Sequence, residues 1–473
     1  MKDIDLAFAP ASELRELIIS KQISPVEVTQ MYLNRIGELD GPLNSYLTVT
    51  AEEAVRAAHA AQGAILRGDD LGILAGIPIS IKDLEMTAGI RTTSGSLVYK
   101  NRIPHEDSVV VERVRKSGAI ILGKTNTPEF GLLGRTENRL GEDCRNPWNT
   151  ERTSGGSSGG AGAAVASGLC SLATGSDGGG SIRIPSSFCG GYGIKPTQGR
   201  VPYYSGSTAP TAANQFSQSG PMSRTVRDSA LLLQVLSGHD PRDAGSLRQK
   251  PDDYMAVADR GVKGLRVGWS PDFGFAAVDP DVATVSAKAA RVFEELGCTV
   301  EEASLDLESP FEAFWTLFTA IFCARSDTLC EEHWEDLTSY TKDTCRRGRE
   351  VTGVEYALAL GQVDVLKAKF ANLFEKFDLL LSPTTAVPAF PTGKPPETIG
   401  GREANWFWGY MPFTFPINMI GYPAASIPCG FSEDGLPIGL QLVGRYGDES
   451  TVIAASAAFE AAQPWAQRRP KVS

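Results

Sequence analysis

Hydrophobic positions recur at two different periods along this chain of 473 residues, and the change of period marks its organisation. Near the N-terminus, Val28, Met31, Tyr32, Ile36 and Leu39 recur at three- and four-residue spacing, the buried stripe of an amphipathic helix. Ser24-Pro25-Val26-Glu27, just before them, reads as a capping box with proline at the first helical position. The first 65 residues are therefore expected to be helical. From residue 73 the text changes. Residues 73–81 are apolar and rich in isoleucine, which predicts a buried strand ending at Lys82 and Asp83. Asp107 is placed to cap a helix through Lys116, and residues 119–122 predict the next strand. Strand–helix–strand alternation of this kind predicts an α/β fold. Beyond residue 225, amphipathic helices at 226–236, 282–296 and 355–374 alternate with strand-like runs at 265–269, 379–381 and 440–443. Residues 240–262 and 385–405 are expected to be surface excursions, too short to separate independent domains.

Composition narrows the function classes. The length allows about three domains of ~150 residues or one large α/β unit, ample for a core without disulfide or metal staples. Acidic residues exceed basic ones by 56 to 45, a net charge of −11. Binding to a phosphate backbone needs a basic face, so direct nucleic-acid contact is not expected. The eight cysteines include no C-x-x-C pair, and there are only four histidines. Neither a disulfide framework nor a zinc cluster is expected, and no metal or cofactor is assigned. Residues 404–432 hold no Asp, Glu, Lys, Arg or His, but Pro412, Pro416, Pro423 and Pro428 interrupt any spanning helix there. The N-terminal MKDIDLAFAP lacks the basic start and apolar run of a signal peptide, so the expectation is a soluble, cytoplasmic protein.

Two familiar motifs fail on context. GAIILGKT at 118–125 matches the phosphate-loop pattern letter for letter. Its four middle residues are themselves the predicted strand, and Asn126-Thr127-Pro128 does not open a long helix. A nucleotide-hydrolysing phosphate loop is thus the remotest reading. GGSSG at 155–159 matches the nucleophile elbow, which needs a downstream histidine as base. Only His239 and His333 follow, one before a turn and the other in the acidic run EEHWE, so a Ser-His-Asp enzyme is not expected.

Glycine supplies the strongest signal. Of the 49 glycines, 14 lie in the 50 residues from 151 to 200, with nine serines beside them and Asp177 as the only acid between Arg152 and Arg200. Within that block, Gly178, Gly179 and Gly180 lead into Ser181. Successive unhindered N–H groups can converge on an anion as an oxyanion hole, and Ser181 stands beside it.

Taken with GIPISIKD at 76–83 and GGSSGG at 155–160, the run DGGGSIRIP at 177–185 resembles the amidase signature family. GKTNTPEF at 123–130, RNPW at 145–148, GIKPT at 193–197, GRV at 199–201 and GLPIGLQLVG at 435–444 agree, so the resemblance runs from about residue 10 to the C-terminus. It implies one domain over 1–473, a twisted mixed β-sheet between layers of α-helices. Residues 1–65 would give its N-terminal helices, 66–205 the signature core and 206–473 the remainder with the cleft loops. It further implies Ser181 as nucleophile, Ser157 as the bridging serine after a cis peptide from Gly156, and Lys82 as base. The oxyanion donors would be the backbone of Gly178, Gly179, Gly180 and Ser181. Ser158 is the rival to Ser157, and only the family's spacing selects between them.

The chemistry is coherent without histidine. Lysine accepts a proton only when neutral, and working near pH 7.5 requires its pKa to fall by roughly three units, about 4 kcal/mol. Desolvation at the end of an apolar strand acts in that direction. Arg183 is expected to pair with Asp177 and hold the loop, and Asp83 to be a structural acid. One departure from the family pattern is Gly178, where a side chain such as Thr or Ile is usual, and its loss would either loosen the oxyanion loop or widen the acyl side of the site.

Two aromatic segments bear on substrate. Phe311, Phe314, Trp315, Phe318 and Phe322 share one helical face, and Trp406, Phe407, Trp408, Tyr410, Phe413 and Phe415 crowd a Pro-rich stretch. Trp315, Phe318, Trp406, Trp408 and Phe413 are the cleft candidates. If they face the site, an apolar or aryl amide is the expected substrate, with esters and carbamates (urethanes) accessible to the same acyl-enzyme. An alternative within the resemblance is the catalytic component of a tRNA-dependent amidotransferase. The sequence leaves monomer and homodimer open.

Overall fold

The computed structural model describes residues 3–69, 72–206 and 216–473. The strands in chain order are β1 (Tyr46–Val49), β2 (Pro78–Lys82), β3 (Ile120–Thr125), β4 (Leu172–Asp177), β5 (Tyr192–Lys195), β6 (Gln218–Ser223), β7 (Arg266–Trp269), β8 (Thr299–Glu302) and β9 (Leu379–Pro383), then a small hairpin of β10 (Thr398–Ile399) and β11 (Arg402–Glu403), and finally β12 (Ala424–Phe431) and β13 (Pro437–Gly444). All but the hairpin form one eleven-stranded sheet in the order β1-β3-β2-β4-β6-β5-β12-β13-β9-β7-β8. β2 runs parallel to β3 and β4, and β9 and β8 run parallel to β7, while the strands between are antiparallel. The α/β class with a mixed central sheet flanked by helices is thus the observed architecture.

Both faces of the sheet are covered. Along β9, Leu379 and Leu381 join one apolar cluster and Leu380 joins the other, because successive strand side chains point to opposite faces. A strand buried on both sides reads as a continuous apolar run, which is why residues 379–381 show no alternation. The first cluster packs Ile77, Ile79 and Ile81 against the helix Pro25–Leu39, whose capping box forms as expected. The second is aromatic and holds Trp408, Phe314 and Phe216.

Several boundaries differ from expectation. The strand expected over 73–81 is restricted to Pro78–Lys82, since Gly76 adopts φ +75° and the chain turns there. The helix at 109–116 is capped by Ser108 rather than Asp107, which instead accepts from Ala88 N and pairs with Arg115. β3 runs on to Thr125, so Gly123, Lys124 and Thr125 are strand residues and no phosphate loop exists at 118–125. Residues 1–65 contribute β1 as well as helices. The expected surface loop at 385–405 begins in the core: Ala386, Val387, Ala389 and Phe390 are buried, with Phe390 against Phe188 and Tyr410. Among the described residues, no helix is long and apolar enough to cross a membrane.

Candidate active site

Topology brings three distant segments to one place. β2 and β4 are parallel neighbours, so their C-terminal ends lie side by side, one carrying Lys82 and the other Ser176 and Asp177. Ligand sites in open α/β sheets form at such carboxyl ends. The Lys82 backbone N–H donates to Thr174 Oγ1 of β4 at 3.1 Å, which fixes the lysine against its neighbour strand. The third segment is the turn before the helix Gly159–Ala166, where the Gly156–Ser157 peptide is cis.

Lys82 is fully buried, and its Nζ lies 2.7 Å from Ser157 Oγ, 2.8 Å from Ser158 Oγ, 3.0 Å from Ser176 Oγ and 3.2 Å from the Ser176 carbonyl. Burial lowers its pKa to about 7, against the opposing pull of Asp177 and Glu85. A neutral amine has two N–H donors and one lone pair. Four oxygen neighbours satisfy both donors and leave a hydroxyl to donate to the lone pair. The two candidate serines are distinguished by orientation. Ser157 opens onto a cavity of about 190 Å³ that Ser181 and Ser176 also line. Ser158 is turned inward, its Oγ donating to the Ser176 carbonyl and accepting from Ser176 N, both at 3.3 Å. Among the described residues, no hydrogen bond joins the Ser157 and Ser181 hydroxyls; such contacts often tighten only with substrate.

The glycine loop is held by one buried ion pair. Arg183 Nε and Nη2 donate to the two Asp177 oxygens at 2.9 Å each, with both side chains fully buried. Asn418 Nδ2 and the backbone N–H groups of Gly180, Ile182 and Arg183 also donate to that carboxylate. Burial alone would raise the Asp177 pKa; Arg183, with Lys195 and Asn418, overrides it and holds the carboxyl far below the usual range. Arg183 also donates to Gln441 and Asn418 at 2.6 Å each, tying the loop to β13 and to the helix Phe415–Ile420. One expectation is corrected here. The Gly180 N–H is taken by Asp177 at 2.7 Å, so the free donors of the loop are Gly178, Gly179 and Ser181, all of which line the cavity.

The aromatic candidates divide. Phe318 and Trp408 line the cavity. Trp315 stacks on Phe318 and Phe311 behind it, Phe413 is fully buried against Phe273, and Trp406 is exposed under the Arg135 guanidinium. Phe130, Phe216 and Phe322 complete the aromatic wall, and Glu85, Tyr203 and Arg325 supply its polar groups. Of these, only Phe322 belongs to a stripe visible in the sequence; Phe130 sits in a short turn at φ +54°, where no periodicity marks it. Asp83 is structural as expected, buried and accepting from Thr93 N at 2.9 Å.

The chain matches the Amidase family over residues 27–453. It is 40% identical to the A subunit of the glutamyl-tRNA(Gln) amidotransferase of Moorella thermoacetica, covering 99% of both chains. It is 36% identical to an acylamidase of Rhodococcus erythropolis, over 99% of this chain and 98% of that one. The crystal structure of a bacterial aryl acylamidase of the amidase signature family superposes with a TM-score of 0.92 at 33% identity, covering 97% of each chain. This chain therefore belongs to the amidase signature family, whose enzymes act on C–N amide bonds.

The ion pair makes a quantitative expectation. Replacing Arg183 by Ala strands a buried carboxylate, and the loss should be about 3–5 kcal/mol of unfolding free energy in a denaturant titration. A loss under about 1 kcal/mol would show that the pair does not anchor the loop.

Proposed function

We propose that this protein is a free-standing serine amidohydrolase that cleaves apolar or aryl amides through an acyl-enzyme on Ser181. The observation that carries this reading is the buried Lys82 amine at 2.7 Å from Ser157, at the edge of an aromatic cavity that also holds Ser181. Neutral Lys82 takes a proton from Ser157 as Ser157 takes one from Ser181, and Ser181 Oγ attacks the amide carbon. The developing oxyanion meets the N–H groups of Gly178, Gly179 and Ser181; removing one such donor costs ~10²–10³ in rate. The proton returns through Ser157 to the leaving amine, and water then releases the acid by the reverse relay. The wall of Phe130, Phe216, Phe318, Phe322 and Trp408 favours an apolar acyl or aryl group over a small charged one.

A second reading, the catalytic component of a tRNA-dependent amidotransferase, is favoured by the 40% identity to one such protein. The acidic balance of 56 to 45 argues against direct tRNA contact by this chain. The two readings separate on the purified chain alone. Hydrolysis of simple anilides without glutamine, ATP or tRNA supports the first, and glutamine-dependent activity only with added partner proteins supports the second. Including aliphatic amides, esters and carbamates in the same kcat/KM series ranks the leaving groups.

The relay has its own signature. Ser181→Ala should abolish labelling by a fluorophosphonate, whereas Lys82→Ala and Ser157→Ala should stay folded with turnover reduced by ~10²-fold or more. Because Lys82 acts only when neutral and has a pKa of about 7, kcat/KM should rise with pH through about 7 and then level. Label on another serine, or an acid limb unchanged in Lys82→Ala, would overturn the assignment.

Gly178 gives a specificity test. Among the described residues, the nearest atoms to a Cβ there belong to Ser217, at 3.7 Å or more, an ordinary van der Waals contact that leaves room for a side chain. Gly178→Thr should leave the melting temperature close to wild type while lowering kcat/KM for bulky acyl groups more than for acetyl. Equal losses across acyl sizes would show that this position does not border the acyl pocket.

A further inference from the structure

The helix that walls the cavity also carries a group of sulfur ligands on another face. Cys323, Asp327 and Cys330 stand at i, i+4 and i+7 on the helix Phe311–Glu332, a spacing that puts all three on one side. The following helix, Ser339–Glu350, crosses directly over them and supplies Cys345. Gly348 makes the crossing close, since a Cβ there would sit 2.5 Å from Cys323 Cβ. The ligand atoms of Cys323, Asp327 and Cys345 lie within 4.8 Å of one another, and Cys330 packs in the same buried cluster with its thiol outside that group.

We propose that Cys323, Asp327 and Cys345, joined by Cys330 through a turn of its side chain, bind a thiophilic divalent cation, zinc being the natural fit, which ties the cavity-wall helix to its neighbour. Cys323 Sγ and Asp327 Oδ1 are 3.5 Å apart. Tetrahedral zinc with Zn–S of about 2.3 Å and Zn–O of about 2.0 Å requires a sulfur–oxygen separation of about 3.5 Å. The three thiols are buried, while Asp327 stands at the exposed rim and gives the ion a way in. Arg349 donates to Asp327 Oδ1 at 2.7 Å and to Glu331 at 3.1 Å. As Zn–S bonds form, the thiol protons leave to solvent; three thiolates and a carboxylate around Zn²⁺ total −2, and Arg349 offsets part of that charge from the position of an outer partner. Chain spacing hides the set, because its closest two cysteines are seven residues apart and the third comes from the next helix. The consequence for the enzyme lies on the other side of the same helix, where Phe318, Ile321, Phe322 and Arg325 line the cavity.

The test is titration of the full-length, chelator-stripped and phosphine-reduced protein with Co²⁺ and then Zn²⁺. The expected result is one ion per chain, a thiolate-to-cobalt charge-transfer band with tetrahedral d–d bands, displacement by zinc, and a rise in melting temperature on adding zinc. Cys345→Ser should lose the charge-transfer intensity from that ligand and the thermal shift. Asp327→Asn, a change at the exposed rim that spares the core, should weaken binding at least tenfold. Wild-type protein without thiolate bands, or Asp327→Asn with unchanged affinity, overturns the proposal.

Discussion

The pair of Asp177 and Arg183 is the constraint on which the candidate site depends. Each is completely buried, so each would be prohibitively costly alone, and the carboxylate is surrounded by guanidinium, amide and backbone donors. Its first effect is geometric. Holding Gly180, Ile182 and Arg183 by their N–H groups forces the loop to turn so that Gly178, Gly179 and Ser181 face the cavity. Its second effect is electrostatic. An unpaired carboxylate so near Lys82 would favour the protonated amine; with Arg183 bound bidentately, much of that field is cancelled, and desolvation dominates the lysine. In the proposed mechanism, one ion pair would thus both shape the anion site and protect the basicity of the relay.

Burial by itself does not identify a base. Lys124 and Lys195 are also fully buried, and burial lowers their pKa values to about 8 and about 7. Lys124 donates to Thr87, Thr92 and the Glu85 carbonyl, with Asp83 and Glu85 pulling its pKa back up. Lys195 donates to the Pro196 carbonyl at 2.9 Å. Neither lines the cavity. What sets Lys82 apart is contact with a hydroxyl that opens onto the space where Ser181 stands, so the distinguishing property is connectivity rather than pKa.

Much of this is legible in the sequence for a physical reason. Motifs at 76–83, 155–160 and 177–185 are short, local and tied to backbone geometry, so chain order reports them faithfully. The aromatic wall is legible only in part. Helical period correctly groups Phe314, Trp315 and Phe318, but it does not say which flank of the stripe meets the cavity and which meets the core. Hence Phe318 lines the space while Trp315 stacks behind it. In the Pro-rich stretch there is no period at all, and Trp406, Trp408 and Phe413 take three different environments. Residues that reach the cavity from unrelated loops, such as Tyr203 and Phe216, carry no local signal.

The glycine surplus at 151–200 also acquires a different meaning. Flexibility is not its purpose. A Cβ on Gly160 would lie 2.3 Å from Asn126 N and 2.4 Å from the Ser45 carbonyl, and one on Gly156 would lie 2.7 Å from backbone atoms of Arg135. On Gly179 it would meet Trp408 at 2.9 Å. These glycines let the segments carrying Ser157, Ser158 and Ser176 pack closely against their neighbours, and Lys82 lies fully buried among them. Gly178 differs from these, since among the described residues the nearest atoms to a Cβ there are those of Ser217 at 3.7 Å or more. A glycine kept where packing would tolerate more is space left on the cavity side of the loop. In a site otherwise closed so tightly, that is the space the proposed acyl group would use.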